Sequence, residues 1–543
     1  MTRNAFFVGV DVGTASARAG IFGTAGELLG TAKRDIAVHH GKGGMVEQSS
    51  REIWGAVCAS VREAVAGAAV PPGDIRGIGF DATCSLVVLG EGGAPLPVGD
   101  SGDPERDIIV WMDHRAVDQA GRINAGGHDV LRFVGGAISP EMETPKLLWL
   151  KEHRREIFDA AWQFFDLTDF LTWKSTGSLA RSSCTVTCKW TYLAHESRWD
   201  PTYFRQIGLE ELADEEFARI GQEVVDPGAA LGAGLTGKAA EQLGLPPGLA
   251  VAAGLIDAHA GGVGTVGAAS GSGTTSDPAN CMGYVFGTSS CTMTTTRQPA
   301  FVPGVWGPYF SAMIPGAWLN EGGQSAAGAA IDHLVAFHPA HAEASDLARA
   351  DGKPLAEWLA DRAAGSAESL SDAARLADGL HVVPEFLGNR APFADPQARA
   401  IIAGLGMERD VDSLVALYVG GLCGLGYGLR QIVEAQAAEG IGVEIIAISG
   451  GAGRHPLIRQ LLADATGLPV ISTQSEEPVL LGSAILGAVA SGAYADIAAA
   501  MAAMSARDKI YAPASGATRD WHDARFAAFT NLQAAARLAS SSL

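Results

Sequence analysis

The 543-residue chain predicts a duplicated α/β fold, two similar halves facing one another across a cleft. Three observations carry that prediction. Near the start, the β-prone run Phe6–Val10 leads into a polar turn at Asp11–Ser16, and apolar character resumes over Ala17–Phe22. The same plan returns later as Tyr284–Phe286, the turn Gly287-Thr288-Ser289-Ser290, and Cys291–Thr296. Finally, Ile445–Ile448 runs into Ser449-Gly450-Gly451-Ala452-Gly453-Arg454 ahead of a helical stretch at Pro456–Thr466. At roughly 100–200 residues per domain, the length suits two large domains or several small ones.

Taken in order, Gly23–Leu28 is a second turn and Leu29–Val38 a third strand. This opening is antiparallel, unlike the β-turn-helix of a dinucleotide fold. Ser50–Val65 has helical spacing with a cap at Ser49 or Ser50. Ile75–Phe80 is a buried strand that ends at Asp81-Ala82-Thr83-Cys84, and Met142–Phe158 is helical. Ala250–Leu255 is a short strand ending at Asp257. Composition then shifts toward Gly, Ser and Thr over Gly261–Asn280, and Ser270–Asp277 reads as an exposed loop or linker. The expected units are residues 1–265, residues 266–498 and a helical, Ala-rich tail at 499–543.

Lys and Arg total 39 against 60 Asp and Glu, a formal charge of −21, which argues against nucleic-acid binding through basic patches. A small anion held by backbone N–H groups is still allowed. The seven Cys form no CxxC pair, and Cys184 and Cys188 have no neighbouring His or Cys to complete a zinc set. Reduced thiols in a cytoplasmic protein are the expectation. The start lacks a charged-then-apolar leader, so no signal peptide is expected. Pro478–Ala495 approaches membrane-span length but is built largely of Ala, Gly and Ser, and reads as a closely packed buried helix. No membrane partner is expected.

Three Gly-rich segments compete as phosphate sites. GAGLTGK at 232–238 fits GxxxxGK, but Ala239 stands where a P-loop needs Ser or Thr for Mg²⁺. GVGTVG at 262–267 fits GxGxxG without the required strand-to-helix unit, and close backbone packing accounts for it equally well. The recurring hairpin turns are stronger. Gly13 and Gly287 let the backbone approach an oxyanion, while flanking N–H and hydroxyl groups donate to it. Asp11 beside a phosphate calls for Mg²⁺ between them, directly or through water. Two turns clamping phosphates, plus a Gly-rich loop offering a surface to a purine, favour ATP.

The blocks VGVDVGTASARAGIF (8–22), GIGFDATCSLVVL (77–89), VWMDHRA (110–116), PKLLWLKEH (145–153), GLIDAHAGGVG (254–264), FGTSSCTM (286–293), NEGGQSAAG (320–328) and SGGAGRHPLIRQLLAD (449–464) occur in order. Together they resemble the FGGY carbohydrate kinases, from Val8 to about Val489. That resemblance implies the two-domain actin/hexokinase-like fold, ribonuclease H-like in each half, with the active site in the cleft. EFLGNRAPFADP (385–396) and WMDHRA are most similar to the pentulose kinases acting on D-ribulose, with L-ribulokinases as near neighbours. Glu143 and His455 depart from the family's usual residues.

The resemblance implies that Asp257 is the general base, and that ATP with Mg²⁺ supplies the phosphoryl group, Asp11 and Asp257 attending the metal. It also implies that Thr83, Cys84, Asp113, Arg115, Lys189 and Glu321 meet the sugar. On the nucleotide side it points to Asp11, Gly13, Thr14, Arg18, Gly287, Thr288 and Ser289. Gly450, Gly451 and Arg454 belong to the adenosine loop, and Gln324, placed with Glu321 on one helix start, lines the ATP cleft. His259 and His114 read as hydrogen-bonded structural residues. The expected activity makes D-ribulose 5-phosphate; L-ribulose, xylulose, ribitol or another polyol are the alternative acceptors. A different class, an actin-like or chaperone ATPase, would keep the phosphate turns without the Asp257 base. A small-molecule sugar is the expected partner, and a homodimer is compatible with the sequence.

Overall fold

A computed structural model describes residues 5–270 and 278–541. The expected Ser270–Asp277 loop lies outside the described residues except for Ser270, the last residue of a helix. Phe6–Val12 pairs antiparallel with Ser16–Phe22, which pairs with Leu28–Asp35, and on its other edge runs parallel to Ile75–Ala82. Pairing on both edges makes the first strand longer than its apolar run. Asp11 therefore sits in the ladder, opposite Arg18 on one side and Asp81 on the other, and the turn shrinks around Gly13, whose N–H donates to the Ser16 carbonyl (3.0 Å).

The second half repeats this plan. Cys281–Phe286 pairs antiparallel with Ser290–Thr296 and parallel with Ile445–Ser449, within a seven-stranded sheet. Its far edge is Arg507–Tyr511, a strand inside the tail expected to be helical. Ser472 holds that edge by accepting the Lys509 N–H (3.2 Å) on its hydroxyl. The rest of the tail is helical, Ile497–Met504 and Ala517–Ser541. Ala250–Leu255 divides into two short strands, Ala250–Val251 and Leu255–Ile256, both parallel to Ile75–Ala82. Met142–Phe158 likewise divides, into Glu143–His153 and Arg155–Ala160, where Arg154 leaves the helical conformation.

Two helices join the halves. Asp257–Ser270 follows the last strand of the first sheet yet packs on Cys281–Phe286 and Ile445–Ser449 of the second. Pro478–Ala490 does the reverse, lying on Phe6–Val12 and Ile75–Ala82. The two helices cross against each other, and the expected boundary near residue 265 falls inside the first of them. Glycine makes the crossing possible. A Cβ on Gly482 would stand 1.9 Å from the Ala260 carbonyl oxygen, and one on Gly264 1.9 Å from that of Pro478. GVGTVG is thus a helix–helix contact, and GAGLTGK starts an ordinary helix, Gly237–Leu243, capped by Thr236. Val411–Ala438 is long and apolar enough to cross a bilayer by length and composition alone, but 78% of its most apolar 18-residue window is buried inside the protein.

Candidate active site

A cleft of about 880 Å³ opens between the two sheets, within the range of roughly 300–1,000 Å³ usual for ligand sites. Asp257 reaches it from the start of the Asp257–Ser270 helix. One carboxylate oxygen accepts the Ala258 N–H (2.7 Å); among the described residues the other oxygen has no protein partner. Burial, then the charge of Asp11, pushes Asp257 up to about 7, while the Ala258 N–H, His259 and Lys189 work against the rise. A carboxylate held near neutrality is suited to take a proton and release it.

Asp11 accepts two hydrogen bonds from Arg18, Nε at 2.8 Å and Nη2 more closely, and Arg18 also donates to Glu477 (2.6 Å). Beside them Asp81 is fully buried, taking the Ser483 hydroxyl on one oxygen (2.5 Å) and leaving the other without a partner. Burial and the neighbouring Asp11 push Asp81 well above the ordinary carboxylate range. Asp11 and Asp257, which both line the cleft, offer the oxygen donors that a hard cation keeping most of its waters would take.

Gly13 and Thr14 line the cleft from the first turn, and Gly287, Thr288 and Ser289 from the second. The second turn is braced from behind: Gly328 donates to the Gly287 carbonyl (2.9 Å) and Ala327 to that of Thr288 (2.9 Å). Gly450 adopts φ +96°, and a Cβ there would come within 2.3 Å of the Phe286 carbonyl oxygen, so the third Gly-rich loop abuts this turn. Arg454 on that loop donates to the Glu476 carbonyl (3.2 Å). Neither Gly450, Gly451 nor Arg454 is among the residues lining the main cleft.

The opposite wall carries Thr83, Cys84, Lys189 and Glu321. Burial alone would raise Glu321, but Lys189 and then His259 hold it down to about 2. His259 is fully buried, with Nε2 3.3 Å from Glu321 and Nδ1 3.1 Å from the Cys184 sulfur. It also completes a group the sequence did not anticipate. The donor atoms of Cys184, Cys188 and His259 lie within 4.8 Å of one another, because the fold brings the Asp257–Ser270 helix against Ser183–Trp190. No fourth donor joins these three among the described residues.

Three further expected residues, Asp113, Arg115 and Gln324, also stand outside the main cleft. Asp113 is wholly buried, accepting the Val46 N–H (2.6 Å) and three donors of Arg115. Arg115 also reaches Glu47 (2.9 Å) and the Val98 carbonyl (2.9 Å). With every charge answered internally, the pair anchors a loop and does not face the cleft. Gln324 ends the strand Trp318–Gln324 that also carries Glu321, instead of starting a helix. Its amide is consumed by Tyr284, Ser290 and the Leu425 carbonyl.

Four cleft residues were not named as site residues from the sequence, although two of them, Trp111 and Arg390, lie inside blocks that carry the family resemblance. Trp111 donates to the Thr14 hydroxyl (3.0 Å), so the WMDHRA block contributes its tryptophan to the cleft. Glu477, Trp306 and Arg390 arrive from distant segments. His114, by contrast, is exposed, bonded through its backbone to Gly44 (3.2 Å).

Two repeated lobes, facing Gly-rich turns and an acidic residue in a cleft sized for a small molecule are the arrangement of the actin/hexokinase fold class. Residues 6–264 match the N-terminal domain of the FGGY family of carbohydrate kinases and residues 282–491 its C-terminal domain; the chain belongs to this family. It is a carbohydrate kinase that uses ATP. It is 46% identical over 532 residues to the human FGGY carbohydrate kinase domain-containing protein, covering 97% of this chain and 96% of that one. It is 40% identical over 514 residues to a D-ribulokinase of Saccharomyces cerevisiae, covering 90% of this chain and 72% of that one. Among solved structures, a xylulose kinase from Rhodospirillum rubrum superposes with a TM-score of 0.77 at 21% identity, covering 99% of this chain and 100% of that one. A gluconate kinase from Lactobacillus acidophilus does so with 0.79 at 18%, covering 98% of each chain. These two share the fold.

Proposed function

We propose that the protein phosphorylates D-ribulose to D-ribulose 5-phosphate, with Asp257 as the general base. The observation that carries this is Asp257 itself: one free carboxylate oxygen in the cleft, a proton affinity near neutrality, and the Lys189–Glu321 wall facing it. Similarity to the yeast D-ribulokinase supports the choice of sugar. Asp257 accepts the proton of the C5 hydroxyl, the oxygen bonds to the γ-phosphorus, and the bond to ADP breaks. Positioning and charge neutralisation do most of the remaining work. Mg²⁺, attended by Asp11 and Asp257, would offset charge on the phosphates. Glu321, kept ionised by Lys189 and His259, accepts hydrogen bonds from sugar hydroxyls. All seven cysteines are free, which supports the cytoplasm as the setting.

A coupled ADP-release assay over D-ribulose, L-ribulose, D-xylulose and ribitol tests the reading. D-ribulose gives the highest kcat/KM, and ATP turnover without sugar is negligible. A higher value for another acceptor reassigns the substrate, and sugar-independent hydrolysis at a comparable rate would favour the chaperone-like class.

The pH dependence follows from Asp257. The base works only when deprotonated, so kcat/KM, which reports the free enzyme, falls as pH drops through about 7. An unperturbed aspartate would place that limb near pH 4. A flat profile between pH 5 and 8, the window around the cited value, would remove Asp257 as the base.

A further inference from the structure

Arg390 lies in the 385–396 segment and lines the cleft from the second lobe. Its guanidinium donates to the Cys291 sulfur (3.7 Å) and sits 5.9 Å from the centre of the Trp306 ring, which also carries Lys189 at 4.9 Å. Cys291 comes directly after the turn formed by Gly287, Thr288, Ser289 and Ser290, and it pairs with Gly323, two residues from Glu321. Arg390 therefore stands between the phosphate turn and the sugar-facing wall. Among the described residues no carboxylate lies within ion-pair distance of it. The other cleft arginine is already committed, Arg18 to Asp11 and Glu477. A half-buried guanidinium with no direct ion-pair partner, whose charge also reaches Glu321 across the wall, faces a site for an anionic ligand as a preorganised anion acceptor.

The segment that presents Arg390 is fixed in place. Asn389 and Asp395 exchange backbone hydrogen bonds (2.8 Å each), and the Asn389 side chain accepts the Phe393 N–H (3.0 Å) while donating to Glu385 (2.5 Å). Glu385 is held from behind by Gln533 (2.6 Å), on the terminal helix Ala517–Ser541. The same helix sends Arg537 to Asp395 (3.5 Å) and over the ring of Phe393 (4.2 Å). The tail thus has a defined mechanical relation to the cleft.

We infer that Arg390 is a further catalytic residue, its guanidinium bonding the oxygens of the phosphoryl group in flight, and that Gln533 on the terminal helix is its positioning residue. No bond to Arg390 is made or broken: the sugar oxygen–phosphorus bond forms, the phosphorus–ADP oxygen bond breaks, and the hydroxyl proton goes to Asp257. The guanidinium answers negative charge on the equatorial oxygens, which neutral sugar hydroxyls would not require. This inference rests on the carbohydrate-kinase reading of the cleft and not on which sugar it takes.

The test compares Arg390→Gln, Arg390→Lys and Gln533→Met in the full-length protein, with the sugar of highest turnover from the panel above. Arg390→Gln lowers kcat by about 10³-fold, with KM for sugar and ATP and the melting temperature unchanged. Arg390→Lys, which keeps the charge but not the planar fork, falls between it and the parent protein. Trapping of ADP with aluminium fluoride, Mg²⁺ and the sugar, a mimic of the transferring group, is lost in Arg390→Gln. Gln533→Met costs about 10-fold in kcat alone and nothing further in the Arg390→Gln background, a non-additivity that a merely structural glutamine would not show. A kcat within threefold of the parent in both Arg390 variants overturns the assignment. So does a loss confined to sugar KM, which would make Arg390 a sugar contact. Should the parent protein phosphorylate no sugar in the panel, the substrate reading fails first and separately, and trapping of ADP with aluminium fluoride and Mg²⁺ alone then decides on Arg390.

Discussion

Asp257→Asn is expected to lower kcat by at least about 10²-fold while leaving ATP affinity nearly unchanged. A positioned base is worth about 10²–10⁴-fold, or roughly 3–5 kcal/mol of barrier. The amide is almost isosteric and can still accept the Ala258 N–H on its oxygen, so the helix start keeps its geometry. What disappears is the ability to take a proton. The substitution also removes one of the charges that raise Asp81, so the local structure should be no less stable. Pre-steady-state measurement of sugar phosphate formation separates the chemical step from product release. Near-normal formation in the variant would take Asp257 out of the reaction.

Arg115→Met is expected to have its effect on stability. The Arg115 guanidinium is 1% exposed and pairs with both Asp113 and Glu47, which are themselves buried. Removing it strands two buried carboxylates, and breaking such a pair costs about 3–5 kcal/mol. Methionine retains packing against Trp149, over which the guanidinium lies at 4.9 Å. The urea midpoint should fall markedly, with sugar KM unchanged under conditions where the variant is folded. A sugar KM raised by about tenfold or more, with the midpoint unmoved, would restore Asp113 and Arg115 to the sugar site that the family resemblance implied. Tenfold corresponds to about 1.4 kcal/mol, the scale of one hydrogen bond to a charged group.

The contrast between these two sites shows what local sequence can carry. The two turns that face the cleft were legible because Gly, Thr and Ser at 13–14 and 287–289 lie within a few residues of one another. Asp257 was legible because the short strand before it delivers one side chain to a sheet's end. Asp113 and Arg115 were assigned to the sugar, and the structure places them in a sealed ion pair; a sugar clamp and such a pair use the same residue types. Only the approach of Glu47, Val46 and Val98 from other segments distinguishes them. Trp306 and Glu477 gave no signal because distant segments bring them to the cleft, and Arg390 lay in a legible block without anything to show that it faces the cleft. His259 is buried and hydrogen-bonded, as expected, but its closeness to Cys184 and Cys188 depends on two helices separated by some seventy residues. Gln324 was assigned to a helix because NEGGQ has little strand propensity; its pairing with Ser290 decides otherwise.

The exchange of helices between the sheets has a consequence for how the chain can be divided. Each repeat keeps its own strands but borrows its cover: Pro478–Ala490 shields the first sheet and Asp257–Ser270 the second. A cut near residue 265 would leave the leading fragment with a naked apolar face, waiting for a segment translated more than two hundred residues later. Doubled ancestry has therefore not made two portable modules; synthesis must be nearly complete before either repeat can close.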